Sequence, residues 1–359
     1  MRRLFLSAFV VLSACTTPEA PPEPLTGAYW QQQAVETAAR LQAVSAVSND
    51  VVWASGTEGT FARTVDGGET WQPGQVTGAE DLEFRDVHAI NADHAFLMST
   101  GPGEISRIYR TMDGGASWAE VYRVTEAGGF FDCMSFWDAE RGIVFSDAPD
   151  TDFMLMATSD GGDSWGRVPP DALEDAHEGE GAFAASGTCL LTGDNGKAWF
   201  GTGASGVDTR VFRTSDYGIS WMASPTPIPS VSESSGIFTV TFLDESNGLI
   251  FGGEYTRPDS VYAHSAVTTD GGVTWTMTGD TGLGGSVFGS AFVPGAPTRT
   301  SLAVAPTGSA WSTDGGVTWE RLDSESYWAV GASPEGAAWA VGPGGRVGRL
   351  EFAAPPPTS

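Results

Sequence analysis

The sequence predicts an all-β chain, a single seven-bladed β-propeller with six copies of one turn motif and a ring closed by an N-terminal strand in the last blade. Three observations carry this. An octet beginning in Ser or Thr and ending in Trp recurs six times, and an apolar strand pair recurs seven times around it. The composition holds 47 glycines, 13 tryptophans and 19 phenylalanines against one lysine, Lys197. Such a profile suits turn-rich β structure.

The chain begins "MRRLFLSAFVVLSAC". Arg2 and Arg3 precede an apolar stretch from Leu4 to Ala14 that is too short to span a bilayer as a helix, so residues 1–14 read as a secretion signal. Its end, "LSAC", resembles the lipobox of bacterial lipoproteins, which implies cleavage before Cys15 and lipidation of that thiol; the alternative is an ordinary signal with an incidental cysteine. Thr16, a residue other than aspartate after the lipid site, implies by the same resemblance the outer membrane. Residues 15–26 then form a lipidated cysteine with a stiff Pro-rich tether, including "TPEAPPEP".

Residues 27–352 carry the repeats. The octets are "TVDGGETW", "TMDGGASW", "TSDGGDSW", "TSDYGISW", "TTDGGVTW" and "STDGGVTW". Their aspartates, Asp66, Asp113, Asp160, Asp216, Asp270 and Asp314, are spaced by 47, 47, 56, 54 and 44 residues, the length of one four-stranded blade. In each, the carboxylate can accept from backbone N–H groups of its own loop and glycine tolerates the positive φ of the reversal. The closing tryptophans, Trp71, Trp118, Trp165, Trp221, Trp275 and Trp319, are expected beneath their turns, each burial contributing roughly 2–3 kcal/mol.

Apolar strand pairs precede every octet, from "RLQAVSAVSNDVVWASG" to "SVFGSAFVPGAPTRTSLAVA". A seventh pair, "SYWAVGASPEGAAWAVGPGGRVGRLEF", has no octet after it. The last blade therefore lacks an outer strand, and "GAYWQQQAV" at 27–35, which resembles the strand leaving an octet, can supply it and leave no open edge. Residues 353–359 are a Pro-rich tail.

The octets match the Asp-box, also called the bacterial neuraminidase (BNR) repeat. The segments "EFRDVHA", "SRIYRTMDGGASW", "FFDCMSFWD", "GEGAFAASGT", "RVFRTSDYGISW" and "GGEYTRP" resemble bacterial relatives of the photosystem II stability and assembly factor family. The resemblance implies a seven-bladed propeller; labels such as glycosyl hydrolase or oxidoreductase, common among such chains, do not follow from the fold. A sialidase-like site would need an arginine triad opened by an F/Y-R-I-P motif. The nearest string, "SRIYR", lacks the proline, and Arg63, Arg110 and Arg213 each sit directly before an octet as repeat architecture. No Gly-rich phosphate fingerprint, haem motif or Cys/His cluster occurs, so no cofactor and no metal are expected.

Charge narrows the partners. With 45 acidic and 18 basic residues the formal charge is −27, which repels nucleic acid and anionic headgroups. The acids are dispersed, as in a solubility coat or an adaptation to high salt, although binding of a cation or basic partner is the other reading. Cys133 and Cys189 either pair, in an oxidising compartment, or remain buried thiols.

A site should lie on the inner strands, which line the channel. Aligning them places Phe84, Phe131, Phe183, Phe238, Phe288 and Trp328 at one level, with Leu41 in the first blade. Polar residues interrupt this pattern: Arg85, Asp86 and His88 in "FRDVH", Asp132 in "FFDC", and Glu178 and Glu180 in "EGEGAF". Asp147, Tyr255 and Arg257 stand where strand pairs end. Charge in apolar channel strands is costly unless paired or solvated, so these nine are expected either to tie blades together, as Arg85 with Asp132, or to form a binding site at the channel mouth. The expected molecule is a monomeric, non-enzymatic, lipid-anchored binding or assembly module whose partner is an envelope protein or small ligand. The alternative is a glycoside hydrolase acting on envelope or environmental glycans.

Overall fold

A computed structural model describes residues 27–126, 128–147, 152–204, 206, 208–257 and 265–353. Cys15, the signal segment, the tether and all but the first residue of the tail lie outside the described residues.

Seven four-stranded antiparallel sheets stand around an axis. Blade 1 runs from its inner strand Leu41–Ala46 through Val52–Gly56 and Thr60–Thr64 to the outer Gln72–Gln75. The inner strands of blades 2 to 6 are Phe84–Ala89, Phe131–Phe136, Leu190–Thr192, Ser235–Phe242 and Gly289–Phe292. Blade 7 is built from Ala329–Ala332, Ala338–Gly342 and Arg346–Phe352, and its outer strand is the N-terminal Ala28–Gln33. Second strands such as Ala95–Ser99 and Gly142–Ser146 are buried at every residue. Neighbouring blades cover both of their faces, so these strands read as continuous apolar runs rather than alternating ones.

Each octet is the turn between the third and fourth strands of blades 1 to 6. In the first, Thr64 Oγ1 donates to Asp66 Oδ1 at 2.7 Å and accepts from the Gly68 amide at 2.9 Å. The Thr70 amide and hydroxyl donate to the two Asp66 oxygens at 2.9 and 2.6 Å. The same bonds recur around Asp113, Asp160, Asp216, Asp270 and Asp314. Hydroxyl and amide donors of the loop hold Asp66, Asp160 and Asp270 down to about 2. Trp71, Trp221 and Trp275 are buried; Trp118, Trp165 and Trp319 are half-buried. Gly67 has φ +71°, the left-handed conformation that glycine adopts freely; box 4 places Tyr217 there at φ +60°. The Arg141 guanidinium lies 3.8 Å from the centre of the Tyr217 ring, which offsets part of that cost.

Blades are latched to one another by the arginines that precede boxes. Arg63 Nη1 donates to Gly114 O of the next box at 3.0 Å, and Arg110 Nη1 to Gly161 O at 2.8 Å. At the junction of blades 7 and 1 the N-terminal strand takes over. Gln33 Nε2 donates to Gly67 O at 3.0 Å, and Trp71 Nε1 donates to Gln33 Oε1 at 3.1 Å.

Register separates residues that sequence alignment had put on one level. A bulge interrupts the inner strands of blades 1, 2, 3 and 5, skipping Gln42, Arg85, Asp132 and Phe238. Leu41, Phe84, Phe131 and Ile237 precede the bulge and are wholly buried between blades, as are Val287 and Tyr327 in blades 6 and 7. Phe238, Phe288 and Trp328 stand one place further on and turn towards the axis. The aromatic ring is therefore two sets, offset by the extra residue a bulge inserts.

Cys133 and Cys189 form a disulfide between the inner strands of blades 3 and 4, with Cα atoms 5.9 Å apart.

Candidate functional site: the channel mouth

Blade 4 is irregular, and its irregularity builds the site. Its inner strand starts only at Leu190, and residues 182–188 leave the sheet and cross the axis as a plug. The Ala182 amide donates to Asp147 Oδ1 at 2.7 Å. Phe183 stacks on Phe238 of blade 5, centroids 4.2 Å apart. Arg85 of blade 2 donates to Ala184 O at 3.2 Å, and Trp328 Nε1 of blade 7 donates to Ala185 O. Ser186 Oγ reaches Phe288 O of blade 6 at 2.6 Å. At Gly187, φ +73°, a Cβ would stand 2.3 Å from Asp86 Oδ1, so only glycine fits. One segment thus touches five other blades and divides the channel in two.

On the side where the inner strands begin lies the mouth, a cavity of ≈ 430 Å³. Phe183, Phe238, Phe288 and Trp328 line it with Tyr255, together with Arg40, Arg85, Asp147 and Glu233. Arg40 lies over the Trp328 ring at 4.5 Å. Arg85 pairs with Glu83 at 2.9 Å and Arg40 reaches the same carboxylate at 3.5 Å. Burial pushes Glu83 up, but the hydrogen bonds and charge of Arg85, aided by Arg40, hold it below the usual carboxylate range. Two guanidiniums share one carboxylate at the rim.

The expected partnership of Arg85 with Asp132 is not formed, because Glu83, two residues away on the same segment, reaches the guanidinium first. Asp132 is wholly buried, and among the described residues neither of its oxygens has a hydrogen-bond partner. Burial, and then the neighbouring charge of Asp147, push its carboxyl well above the usual range. Burial also raises Asp147 to about 6. Asp86 accepts from the Met134 amide at 2.6 Å and is pushed well up by burial.

Glu180, Glu178, His88 and Arg257 are placed away from the mouth. Glu180 is buried and committed to the Arg210 guanidinium, whose Nε donates to Oε1 at 3.0 Å, and to the Thr202 hydroxyl and the His177 amide. It braces blade 4 and does not face the mouth. Glu178 is exposed on the loop before it. His88 sits beyond the plug, on the other side of the channel. Tyr255 is 51% exposed at the rim, its ring edge-on to Phe183 and Phe238. Arg257 is exposed beyond it and does not line the cavity.

Sequence reasoning missed Arg40, Glu83, Glu233 and the plug. The 56-residue gap between Asp160 and Asp216 is the one local signal of extra chain in blade 4.

Residues 310–321, spanning the sixth octet, match the family model described as BNR/Asp-box repeat. No curated protein matches the chain. Among solved structures, YCF48 bound to D1 peptide superposes with a TM-score of 0.62 at 16% identity, covering 91% of this chain and 95% of that one. YCF48 from Cyanidioschyzon merolae gives 0.63 at 17%, over 90% and 98%. The GH74 xyloglucanase from Xanthomonas campestris gives 0.60 at 17%, covering 89% of this chain and 53% of that one. At such identities the likeness concerns the fold. The chain is a seven-bladed β-propeller with a BNR/Asp-box repeat at residues 310–321, and its fold resembles that of YCF48.

Proposed function

We propose that the protein is a non-enzymatic binding module, exported and held in the cell envelope by a lipid on Cys15, whose mouth takes an apolar-anchored segment of a partner protein or a small ligand. The observation that carries this reading is the mouth itself, a concave aromatic surface walled by Arg40, Arg85, Asp147 and Glu233 and floored by the plug. Buried aromatic surface supplies affinity, and a charged rim supplies orientation. A structure of the YCF48 fold bound to a D1 peptide supports the idea that such a propeller serves as a peptide receptor. The Cys133–Cys189 disulfide fits an oxidising compartment. A hydrolase would need two carboxylates converging on an open cleft; of the two at the mouth, Asp147 is committed to the Ala182 amide of the plug, which favours binding over hydrolysis.

The test is capture from detergent-solubilised envelopes with wild type, with Tyr255→Ser and Arg85→Ala at the mouth, and with Ile219→Ser, a 73% exposed position on the fourth box. Circular dichroism establishes that all are folded. A partner held by wild type and Ile219→Ser but released by the mouth variants is expected. Retention by both mouth variants would remove the mouth from the reading. Mass spectrometry of the mature N-terminus tests lipidation, which Cys15→Ala should abolish.

A further inference from the structure

The plug leaves a second cavity of ≈ 420 Å³, open on the face that carries the Asp-boxes. It is blind, because Ser186, Gly187 and Thr188 close its inner end. Its wall has three kinds of chemistry. Ser45 Oγ accepts from the Ala89 amide at 3.0 Å and Thr241 Oγ1 from the Phe292 amide at 3.3 Å, which leaves both hydroxyl protons uncommitted. His88 stands beside Phe136, ring centroids 5.1 Å apart, and makes no hydrogen bond to the described residues. Phe242 and Phe292 add apolar faces to the lining.

Charge decides what such a wall accepts. Burial, and secondarily His94, push His88 down to about 4, so its imidazole is neutral at pH 7. Asp86, pushed well up by burial, is the one carboxyl in the lining, and no lysine or arginine lines it. An anion finds no counter-charge there and meets the field of a chain carrying −27. A cation finds a single carboxyl, buried and already accepting from the Met134 amide. A fully apolar guest would strand the free hydroxyls and the imidazole. An uncharged molecule with hydroxyls on its edge and C–H groups on its faces satisfies all of them, and the cavity is within the size range of small-molecule sites.

We propose that the blind cavity on the Asp-box face is a second binding site, distinct from the mouth, for a small uncharged polyhydroxylated molecule of monosaccharide size. His88, Ser45 and Thr241 hydrogen-bond the hydroxyl edge, and Phe242 packs against the ring.

The probes are glucose, N-acetylglucosamine, myo-inositol and glycerol, titrated to about 50 mM against the full chain, since single-sugar affinities fall in the millimolar range. The first readout is the His88 imidazole resonance, and ligand-observed saturation transfer serves the variants. Saturable binding of at least one probe at one per chain is expected, weakened about ten-fold by His88→Phe and by the milder Ser45→Ala with Thr241→Val. No saturable response to any of the four would overturn the proposal. So would equal loss in Tyr255→Ser, which changes only the mouth and would place the sugar there.

Discussion

Asp147 makes stability depend on pH in a way that one isosteric change should reveal. Its carboxyl titrates at about 6 in the folded chain against an ordinary 3.8. A raised acid contributes stability that is fully present below pH 3.8 and is lost as pH rises through 6. Two units correspond to about 3 kcal/mol. Asp147→Asn keeps the oxygen that accepts from the Ala182 amide and removes the charge. Urea unfolding of wild type and variant at steps from pH 4 to 7.5 should therefore give curves that diverge, the variant gaining about 3 kcal/mol relative to wild type by pH 7.5. Wild type alone is a poor reporter. His88, a base held down to about 4, contributes the opposite slope, present above the unfolded value of 6.5 and lost as pH falls through 4. The difference curve removes that term. Asp132 shares the site, so relieving Asp147 of its charge relieves Asp132 too and the difference reports the pair. Parallel curves across the whole range would show that the carboxyl is not held in its protonated form by the fold, and the reasoning would fail.

Two further outcomes concern the irregular blade. Glu180→Ala strands the 7% exposed Arg210 side chain, so it should cost about 3–5 kcal/mol and lower the melting temperature, whereas a role in the mouth would spare stability and lose binding. Replacing Cys133 and Cys189 by serine together opens a 56-residue connection, which by loop-closure entropy should cost about 4 kcal/mol in chemical denaturation; an unchanged midpoint would mean that the bond adds nothing to the packing already there.

The boxes were readable because each is a local device: threonine, aspartate, glycine and tryptophan within eight residues satisfy one another without help from the rest of the chain. Copy number and spacing then fixed the blades. What the sequence hid is whatever depends on distant partners. Arg85 was readable as an oddity, but its pairing with Glu83 rather than Asp132 is settled by which carboxylate the folded chain leaves within reach, and that leaves no trace in composition. Glu180 meets Arg210 across thirty residues. The plug hid best, since "GAFAASGT" has the small and apolar residues of an inner strand; the difference is that its backbone bonds to a carboxylate, a guanidinium and an indole N–H of other blades rather than to its own sheet.

The strand Ala28–Gln33 pairs with Arg346–Phe352, the first strand of the described residues with the last. During synthesis these two segments emerge at opposite ends of the process. Until the final strand arrives, the first has no sheet to join, and box 1 waits for the glutamine that fills it. Blades 1 to 6 can form in turn as hairpins of local sequence, but the circle stays open to proteases until the whole chain has been delivered. A prematurely ended copy lacks the sheet that would receive its own beginning, so completeness of the polypeptide is tested by the same contact that seals the ring.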